Sequence, residues 1–302
     1  MLEKTMKQIL TKKINNWIST IKDEKVKKVI KDNLIITGGC FTSMIQNEVP
    51  KDYDCYFRTK EAVLKVAQYY ANLWNKEKSG SVEVREITDY KREERIKIFI
   101  KSDGIEGNPE EVNGSEELGV NSVNTIIEEL DETKADEIIE KEKKSYFPVF
   151  ISSNAITLSD GVQIVVRFYG EPGEIHDTYD FEHTKAYFDY RKSLLEIPKK
   201  VYECVINKTL IYTGSKYPVC SAFRLRKFIN RGWNINAGQI LKMCMQISDL
   251  DLYNIEILED QLIGVDSLYF MNLITQFRKQ KEKDSNFQLT PNYVISIIDK
   301  IF

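Results

Sequence analysis

Two carboxylates separated by one residue follow closely after a pair of glycines, and together these groups could hold a triphosphate and its metal ion. Asp52 and Asp54 flank Tyr53 in a short apolar stretch. Because residues i and i+2 of a strand point to the same face of a sheet, both carboxylates are expected to project together. Mg²⁺, with Mn²⁺ as the alternative, prefers such oxygen ligands. Asp52 and Asp54 are therefore predicted catalytic and metal-binding residues. A pair of solvated charges on an edge strand would give the same pattern.

The glycine pair is the second half of this constellation. Gly38 and Gly39 end a short apolar run, 34–36, which predicts a buried strand that turns into a helix. A backbone without side chains can approach phosphate oxygens, and the first N–H groups of a helix point towards them. Thr42 and Ser43 would add hydroxyl donors. These four residues are predicted to bind the nucleotide, although a tight turn alone would also use two glycines.

The spacing of apolar side chains predicts the elements that position these groups. Residues 1–32 carry a helical stripe and a second short helix, and Lys60–Lys78 is a further amphipathic helix. Strands are predicted at Tyr53–Phe57, as an antiparallel pair at Ser81–Ile87 and Arg95–Ile100, and at Phe147–Ser152, Val162–Tyr169 and Tyr179–Tyr187. After about Tyr190 the pattern is mainly helical.

An acidic segment interrupts the first half of the chain. Residues 102–144 are rich in Gly, Asn, Ser, Glu and Asp, a composition typical of a flexible insertion. Fourteen acids against two lysines give 103–142 a charge of −12, which leaves +9 on the rest of a chain whose net charge is −3. The remaining part is therefore basic enough for a polyanionic partner.

Length and composition predict an α+β protein of three parts. The chain has 302 residues, of which 42% are hydrophobic, so a buried core is expected. The parts are N-terminal helices at 1–32, a head at 33–190 with a small mixed β-sheet backed by helices and the acidic insertion at about 102–144, and a mainly helical region at 191–302.

Five scattered cysteines without metal-ligand spacing predict reduced, mostly buried thiols. No membrane span or signal peptide is recognisable, which predicts a cytoplasmic protein without a membrane partner.

The glycine and carboxylate motifs together resemble the DNA polymerase β-like nucleotidyltransferase superfamily. The stretch Thr37–Asp54 is most similar to the head of bacterial-type tRNA nucleotidyltransferases and poly(A) polymerases. The resemblance implies two Mg²⁺ ions and a third carboxylate from a later strand. Asp180 fits this role, and Glu182 is the alternative. Asp160 is interpreted as a turn residue beside a glycine, and His183 as a packed histidine.

A second motif lies in the helical region. Arg224, Lys227 and Arg231 recur at i, i+3 and i+7 and so share one helix face. The stretch Ser221–Ile235 resembles the neck helix of the same polymerase family, which implies that the three cations bind nucleotide or RNA phosphates. A solvated basic face is the alternative. The Arg-Asp pair that the family carries after its glycines is replaced by Thr42-Ser43, so no sugar preference is predicted.

The resemblance implies template-independent transfer of nucleotides from an NTP to an RNA 3′ end, with tRNA among the acceptors and pyrophosphate as the leaving group. Two alternatives remain open. One is nucleotidyl transfer to a protein or small-molecule hydroxyl, and the other is an inactive head that serves as a nucleic-acid-binding module. The sequence gives no oligomeric state.

Overall fold

The computed structural model describes residues 1–77, 81–88, 94–101, 145–262, 268–284 and 287–301. The helices are α1 (Glu3–Thr20), α2 (Glu24–Asn33), α3 (Gly39–Ile45), α4 (Lys60–Glu77), α5 (Pro172–His176), α6 (Lys199–Ile206), α7 (Pro218–Asn230), α8 (Ala237–Ser248), α9 (Ile255–Leu262), α10 (Leu268–Lys283) and α11 (Pro291–Ile301). The strands are β1 (Leu34–Thr37), β2 (Tyr53–Phe57), β3 (Ser81–Thr88), β4 (Glu94–Lys101), β5 (Pro148–Ile151), β6 (Ala155–Leu158), β7 (Val162–Tyr169), β8 (Tyr187–Asp189), β9 (Leu194–Glu196), β10 (Thr209–Leu210) and β11 (Asn234–Ile235). The predicted acidic insertion lies outside the described residues.

The chain divides into two compact units. The first contains Met1–Ile175 and Thr184–Pro198, and the second contains His176–His183 and Lys199–Phe302. The short segment 176–183 thus belongs to the second unit, although residues on both of its sides belong to the first. The boundaries predicted at residues 32 and 190 stay predictions.

The first unit is built on a mixed sheet with the strand order β5-β6-β7-β2-β1-β8-β9. Its central strand, β2, pairs antiparallel with β1 and parallel with β7. Helices α2 and α4 contact β2. The predicted α+β class, with a mixed sheet backed by helices and a helical C-terminal region, is confirmed.

Helix α1 of the first unit buries the apolar stripe that its sequence period predicts. The stripe of α1 is fully buried at Met6, Leu10 and Trp17, and the Trp17 indole N–H donates to the Tyr70 hydroxyl of α4 at 2.6 Å. The hydrogen bond satisfies two polar groups that would otherwise be costly to bury. Asp23 is the N-cap of α2, and its carboxylate accepts from two backbone N–H groups in the first turn of the helix.

An ion pair joins the end of β2 to β8. The Arg58 guanidinium donates to Asp189 at 2.5 Å and to Glu171 at 2.9 Å, and the Arg58 and Asp189 side chains are almost fully buried. The predicted antiparallel pair of strands is confirmed as β3 and β4, which pair from Ser81 and Lys101 to Thr88 and Glu94.

The predicted strand Tyr179–Tyr187 is wrong. Residues Glu182–Thr184 form a 3₁₀ turn, and the sheet strand beside β1 is β8, which begins only at Tyr187. The cause is a competing set of backbone bonds within the second unit. Phe181 forms a bridge with Tyr212, and the N–H of Glu182 donates to the carbonyl of Ile211 at 3.0 Å.

The second unit is mainly helical. Strands β10 and β11 pair in parallel, and the Asn236 side chain caps α8 by accepting from the N–H of Gln239. An apolar cluster joins α9, α10 and α11 and comprises Ile255, Leu262, Leu273, Ile274, Phe277, Leu289 and Ile297. None of the helices in the described ranges has both the length and the apolar character that crossing a membrane requires.

Candidate functional site

The glycine turn lies at the end of β1. Gly38 has φ 101° and ψ −153°, a conformation that L side chains rarely adopt, so glycine is required there. Gly39 opens α3, and a methyl group on its Cα would meet no heavy atom within 4 Å. Thr37 is fully buried, and its hydroxyl donates to the carbonyl of Ala186 at 2.7 Å. The strand end is thereby fixed, while the backbone at Gly39 stays open to a ligand.

Of the two carboxylates, Asp54 lies on the neighbouring strand at the same end of the sheet, and Asp52 lies directly before that strand. Asp54 is the register partner of Thr37, the residue that precedes Gly38. Asp54 is half-buried, and Asp52 is exposed just before β2 begins. The alternate residues Tyr53 and Cys55 are buried. Asp54 is therefore the least buried residue of β2 and stays partly accessible to a ligand.

A close backbone contact shapes the turn before Asp52. A methyl group on Gly161 would lie 2.4 Å from the carbonyl oxygen of Lys51, so a side chain there would displace the turn. The interpretation of Asp160 as a turn residue is confirmed, because it has φ 64° within the 3₁₀ turn Ser159–Gly161. Its carboxylate accepts from the Ser145 hydroxyl at 3.2 Å. Asp160 therefore stabilises the turn that supports Asp52.

Two buried thiols lie close to the carboxylates. Burial raises the pKa of Cys40 and of Cys55, and the negative charge of Asp54 raises both further. Both thiols therefore stay protonated at neutral pH and are not nucleophiles there. Cys204 and Cys220 are buried as well, whereas Cys244 is exposed, so the prediction of mostly buried free thiols is confirmed.

That Asp52 and Asp54 bind a divalent ion stays a prediction, which rests on the chemistry of their carboxylates. Mg²⁺ commonly binds through one or two carboxylates together with substrate phosphates and water. Within the described part of the chain, no three or more His, Cys, Asp or Glu side chains form a cluster that could hold a metal. The second ion and the role of Asp180 as its ligand stay predictions.

Asp180 lies in the second unit, where its carboxylate meets a cation. The side chain is almost fully buried, and its Oδ2 accepts from Nη1 of Arg224 at 2.7 Å. Glu182, the alternative third carboxylate, is half-buried in the 3₁₀ turn that follows. The structure thus joins two predicted site residues, Asp180 and Arg224, whose contact the sequence gave no reason to expect.

Helix α7 carries the predicted basic face. Arg224, Lys227 and Arg231 are all exposed, and Arg231 is the C-cap of the helix. Sequence reasoning did not single out a further exposed cation of this helix, Arg226. Its signal is the run of cations without an acid throughout Pro218–Asn230. The exposed surface of α7 is therefore positive.

The interpretation of His183 as a packed histidine is confirmed. Its ring lies 4.4 Å from the Trp233 ring and 4.8 Å from the Phe228 ring, measured between centroids. Burial lowers the pKa of His183 to about 3. The imidazole is therefore neutral at physiological pH and belongs to an aromatic core beneath α7.

A cleft of about 490 Å³ also opens in the second unit. It is lined by Glu182, Lys200, Ile211, Tyr212, Thr213, Gly214, Lys242 and Gln246. Sequence reasoning did not single out Lys200 or Lys242, which lie on separate helices and follow no shared spacing.

Comparison with known proteins decides the family. Residues 8–208 match the model of the Gabija anti-defense 2 family protein. The chain belongs to the Gabija anti-defense 2 family. A relative, "Gabija anti-defense 2" of Bacillus phage SPbetaL7, is 19% identical over 275 residues, which cover 91% of this chain and 51% of the relative. This Gabija anti-defense 2 family chain thus spans about half the length of the curated relative that it matches.

Solved structures similar to this family member include three of CCA-adding enzymes. The Thermotoga maritima CCA-adding enzyme complexed with tRNA has a TM-score of 0.37 and 10% identity, over 93% of this chain and 57% of that one. An apo form of the CCA-adding enzyme has a TM-score of 0.37 and 11% identity, over 93% of this chain and 57% of that one. A complex of the CCA-adding enzyme with CTP has a TM-score of 0.37 and 9% identity, over 92% of this chain and 57% of that one. The function of the present chain is therefore inferred from its own residues.

Proposed function

We propose that this Gabija anti-defense 2 family chain is a metal-dependent nucleotidyltransferase that takes an NTP as its donor. One observation carries the proposal: Asp54 is the register partner of Thr37, the residue directly before the Gly38-Gly39 turn. Groups able to hold a metal ion and a backbone able to approach phosphates therefore lie at one edge of one sheet. This is what a triphosphate with its counter-ion requires.

Each part has a defined task. The open backbone at Gly39 and the half-buried hydroxyls of Thr42 and Ser43 would hold and orient the phosphates. Asp52 and Asp54 would hold Mg²⁺ together with the triphosphate, and the bound ion would supply neutralisation of the phosphate charge. Positioning and charge stabilisation suffice for this transfer, so no nucleophilic side chain is needed.

The acceptor in this proposal is an RNA 3′ end, with tRNA included. The exposed cations of α7, which include Arg224, Lys227 and Arg231, support an anionic partner of this kind. The name of the phage relative, "Gabija anti-defense 2", supports action against Gabija as the biological setting, and the cytoplasm is the location in this proposal. A protein or small-molecule hydroxyl as acceptor, or an inactive head, are outcomes that the test below distinguishes.

The test is incubation of the purified chain with α-³²P-labelled NTPs, Mg²⁺ and total RNA. We expect label in RNA, and we expect Asp52→Asn and Asp54→Asn each to reduce it on the order of a hundredfold or more, the scale of losing an electrostatic contact in a transition state. Asp32→Asn is the matched control, because this carboxylate is exposed on α2 in the same unit.

The position of the label decides between the alternatives. If the label is found in protein or in a small molecule, that molecule and not RNA is the acceptor. Unlabelled products throughout, or full activity in Asp54→Asn, would refute the enzymatic proposal.

A further inference from the structure

The Asp180 carboxylate already has a cation as its partner. Asp180 is 5% exposed, and its Oδ2 accepts from Nη1 of Arg224 at 2.7 Å. The Arg224 side chain, in contrast, is 45% exposed. A buried carboxylate paired in this way has its charge compensated without a metal ion. The exposed partner is the one that a ligand can reach.

The backbone around Asp180 is held in place on both sides. The N–H of Thr213 donates to the carbonyl of Asp180 at 2.9 Å, and the N–H of Glu182 donates to the carbonyl of Ile211 at 3.0 Å. Between them, the fully buried Phe181 ring packs at 5.4 Å from the Phe228 ring of α7. The carboxylate is therefore a rigid anchor beside the helix that carries Arg224.

We propose that Asp180 is a positioning residue, which fixes the Arg224 guanidinium so that it binds a phosphate ester. This inference rests on the proposed function and gives Asp180 a role other than that of a metal ligand. A guanidinium has five N–H donors, so a bond to one carboxylate oxygen is compatible with a further contact to phosphate. Holding the long side chain in advance removes part of the entropy cost of binding.

The surroundings of Arg224 favour an anionic ligand. Lys227 follows at i+3 on the same face of α7, Arg231 is the C-cap of this helix, and both are exposed. The helix Pro218–Asn230 contains no acidic residue that would oppose them. A phosphate bound at Arg224 would therefore meet further positive charge along the helix.

The experiment measures binding without turnover in the full chain. The probes are a fluorescent ATP analogue with Mg²⁺, a labelled 12-nucleotide oligo(A) RNA, and Mn²⁺ followed by its electron paramagnetic resonance signal in the presence of ATP. We expect Arg224→Gln and Asp180→Asn each to weaken the same phosphate probe roughly tenfold, the scale of a charge-assisted hydrogen bond. The double variant should bind no more weakly than Arg224→Gln alone, because the two residues act as one unit.

The Mn²⁺ signal separates the two roles of Asp180. We expect Asp180→Asn to keep Mn²⁺ binding and Asp54→Asn to lose it. Glu259→Gln is the matched control, because Glu259 forms a comparable half-exposed ion pair with Arg278 in the same unit. It should leave all three probes unchanged.

Two results would overturn the inference. Loss of Mn²⁺ binding in Asp180→Asn would make Asp180 a metal ligand, and unchanged binding of both phosphate probes in that variant would make it structural only. If Asp180→Asn fails to fold, Asp180→Glu replaces it. We expect this variant, which keeps the charge, to weaken binding of the phosphate probe less than Arg224→Gln does. Binding as weak as that of Arg224→Gln would count against positioning. Arg224-dependent phosphate binding in a chain that transfers no label would leave this inference standing while the proposed function fails.

Discussion

Gly161 lies so close to Lys51 that a methyl group on its Cα would be 2.4 Å from the Lys51 carbonyl oxygen. Because Asp52 follows directly, Gly161→Ala should displace this carboxylate. We expect a loss of about 1–3 kcal/mol in the free energy of unfolding, from the contact and from the positive φ of 71°. We also expect the rate of nucleotidyl transfer at saturating NTP to fall more than roughly tenfold, as sub-ångström misplacement of a catalytic group permits.

The control for this prediction is Gly214→Ala. Gly214 has φ 100°, but a methyl group there would meet nothing within 4 Å, so the variant has the backbone strain without the collision. Equal transfer rates in the two variants would contradict the role of Gly161 in positioning Asp52.

Gly39→Ala tests whether a phosphate approaches the glycine turn. The open space around Gly39 predicts that the variant folds with a stability within about 1 kcal/mol of the original. The added methyl group should nevertheless raise the KM for NTP about tenfold, which corresponds to a loss of about 1.4 kcal/mol in binding. Gly173→Ala is the matched control, since Gly173 also lies in a helix with open space around it. A KM that moves equally in both variants would remove Gly39 from the nucleotide site.

The glycine turn and strand β2 could be predicted because their signals are local. An apolar run ended by glycines, followed by a second apolar run, specifies a strand, a turn and another strand within about twenty residues. The helix that carries Arg224 and Lys227 was predicted for the same reason. Its period is visible in the sequence, and the structure has a helix at Pro218–Asn230. The metal-binding role of Asp52 and Asp54 stays a prediction.

The partner of Asp180 could not be predicted in this way. Residues 179–187 alternate like a strand, yet Phe181 bridges to Tyr212, and the Asp180 carboxylate bonds to Arg224, 44 residues later. Neither contact leaves a periodic signal. The position of β8 beside β1 is likewise a non-local pairing, between Thr37 and Tyr187. Such pairings depend on competition between distant segments and are not encoded in local spacing.

His183 should make the stability of the chain depend on pH. In the unfolded state a histidine has a pKa of about 6.5, and burial lowers the pKa of folded His183 to about 3. Between these values the unfolded state binds a proton that the folded state does not, so the free energy of unfolding falls as the pH falls from about 6.5 towards 3. Each pH unit in this window contributes at most about 1.4 kcal/mol.

His183→Gln removes this titration. Chemical denaturation of both proteins from pH 7.5 to pH 4.5 should show that the advantage of the original chain over the variant shrinks as the pH decreases. Parallel pH profiles would mean that His183 takes up its proton over the same pH range in the folded and unfolded states, and so is not packed against Phe228 and Trp233 as a neutral ring.

The last prediction concerns Lys227 and Arg231, for which a ligand-binding face and a solvated face differ in their response to salt. If these cations contact the RNA backbone, each contact releases counter-ions, and the slope of log K against log salt for a single strand changes by about 0.7 per contact. The double variant Lys227→Gln, Arg231→Gln should therefore bind oligo(A) RNA with a less steep salt dependence, the magnitude of the negative slope being smaller by about 1.4. The matched control is Lys281→Gln, Lys283→Gln, which removes two exposed cations from the last turn of α10. It lowers the net charge by the same amount, so a general effect of charge would reduce the slope equally in both double variants. A reduction confined to the α7 variant, measured by fluorescence anisotropy at several salt concentrations, would assign the contact to α7. An unchanged slope there would make the basic face ordinary solvated charge, because removing solvated cations changes stability by only about 0.5 kcal/mol and leaves ligand binding alone.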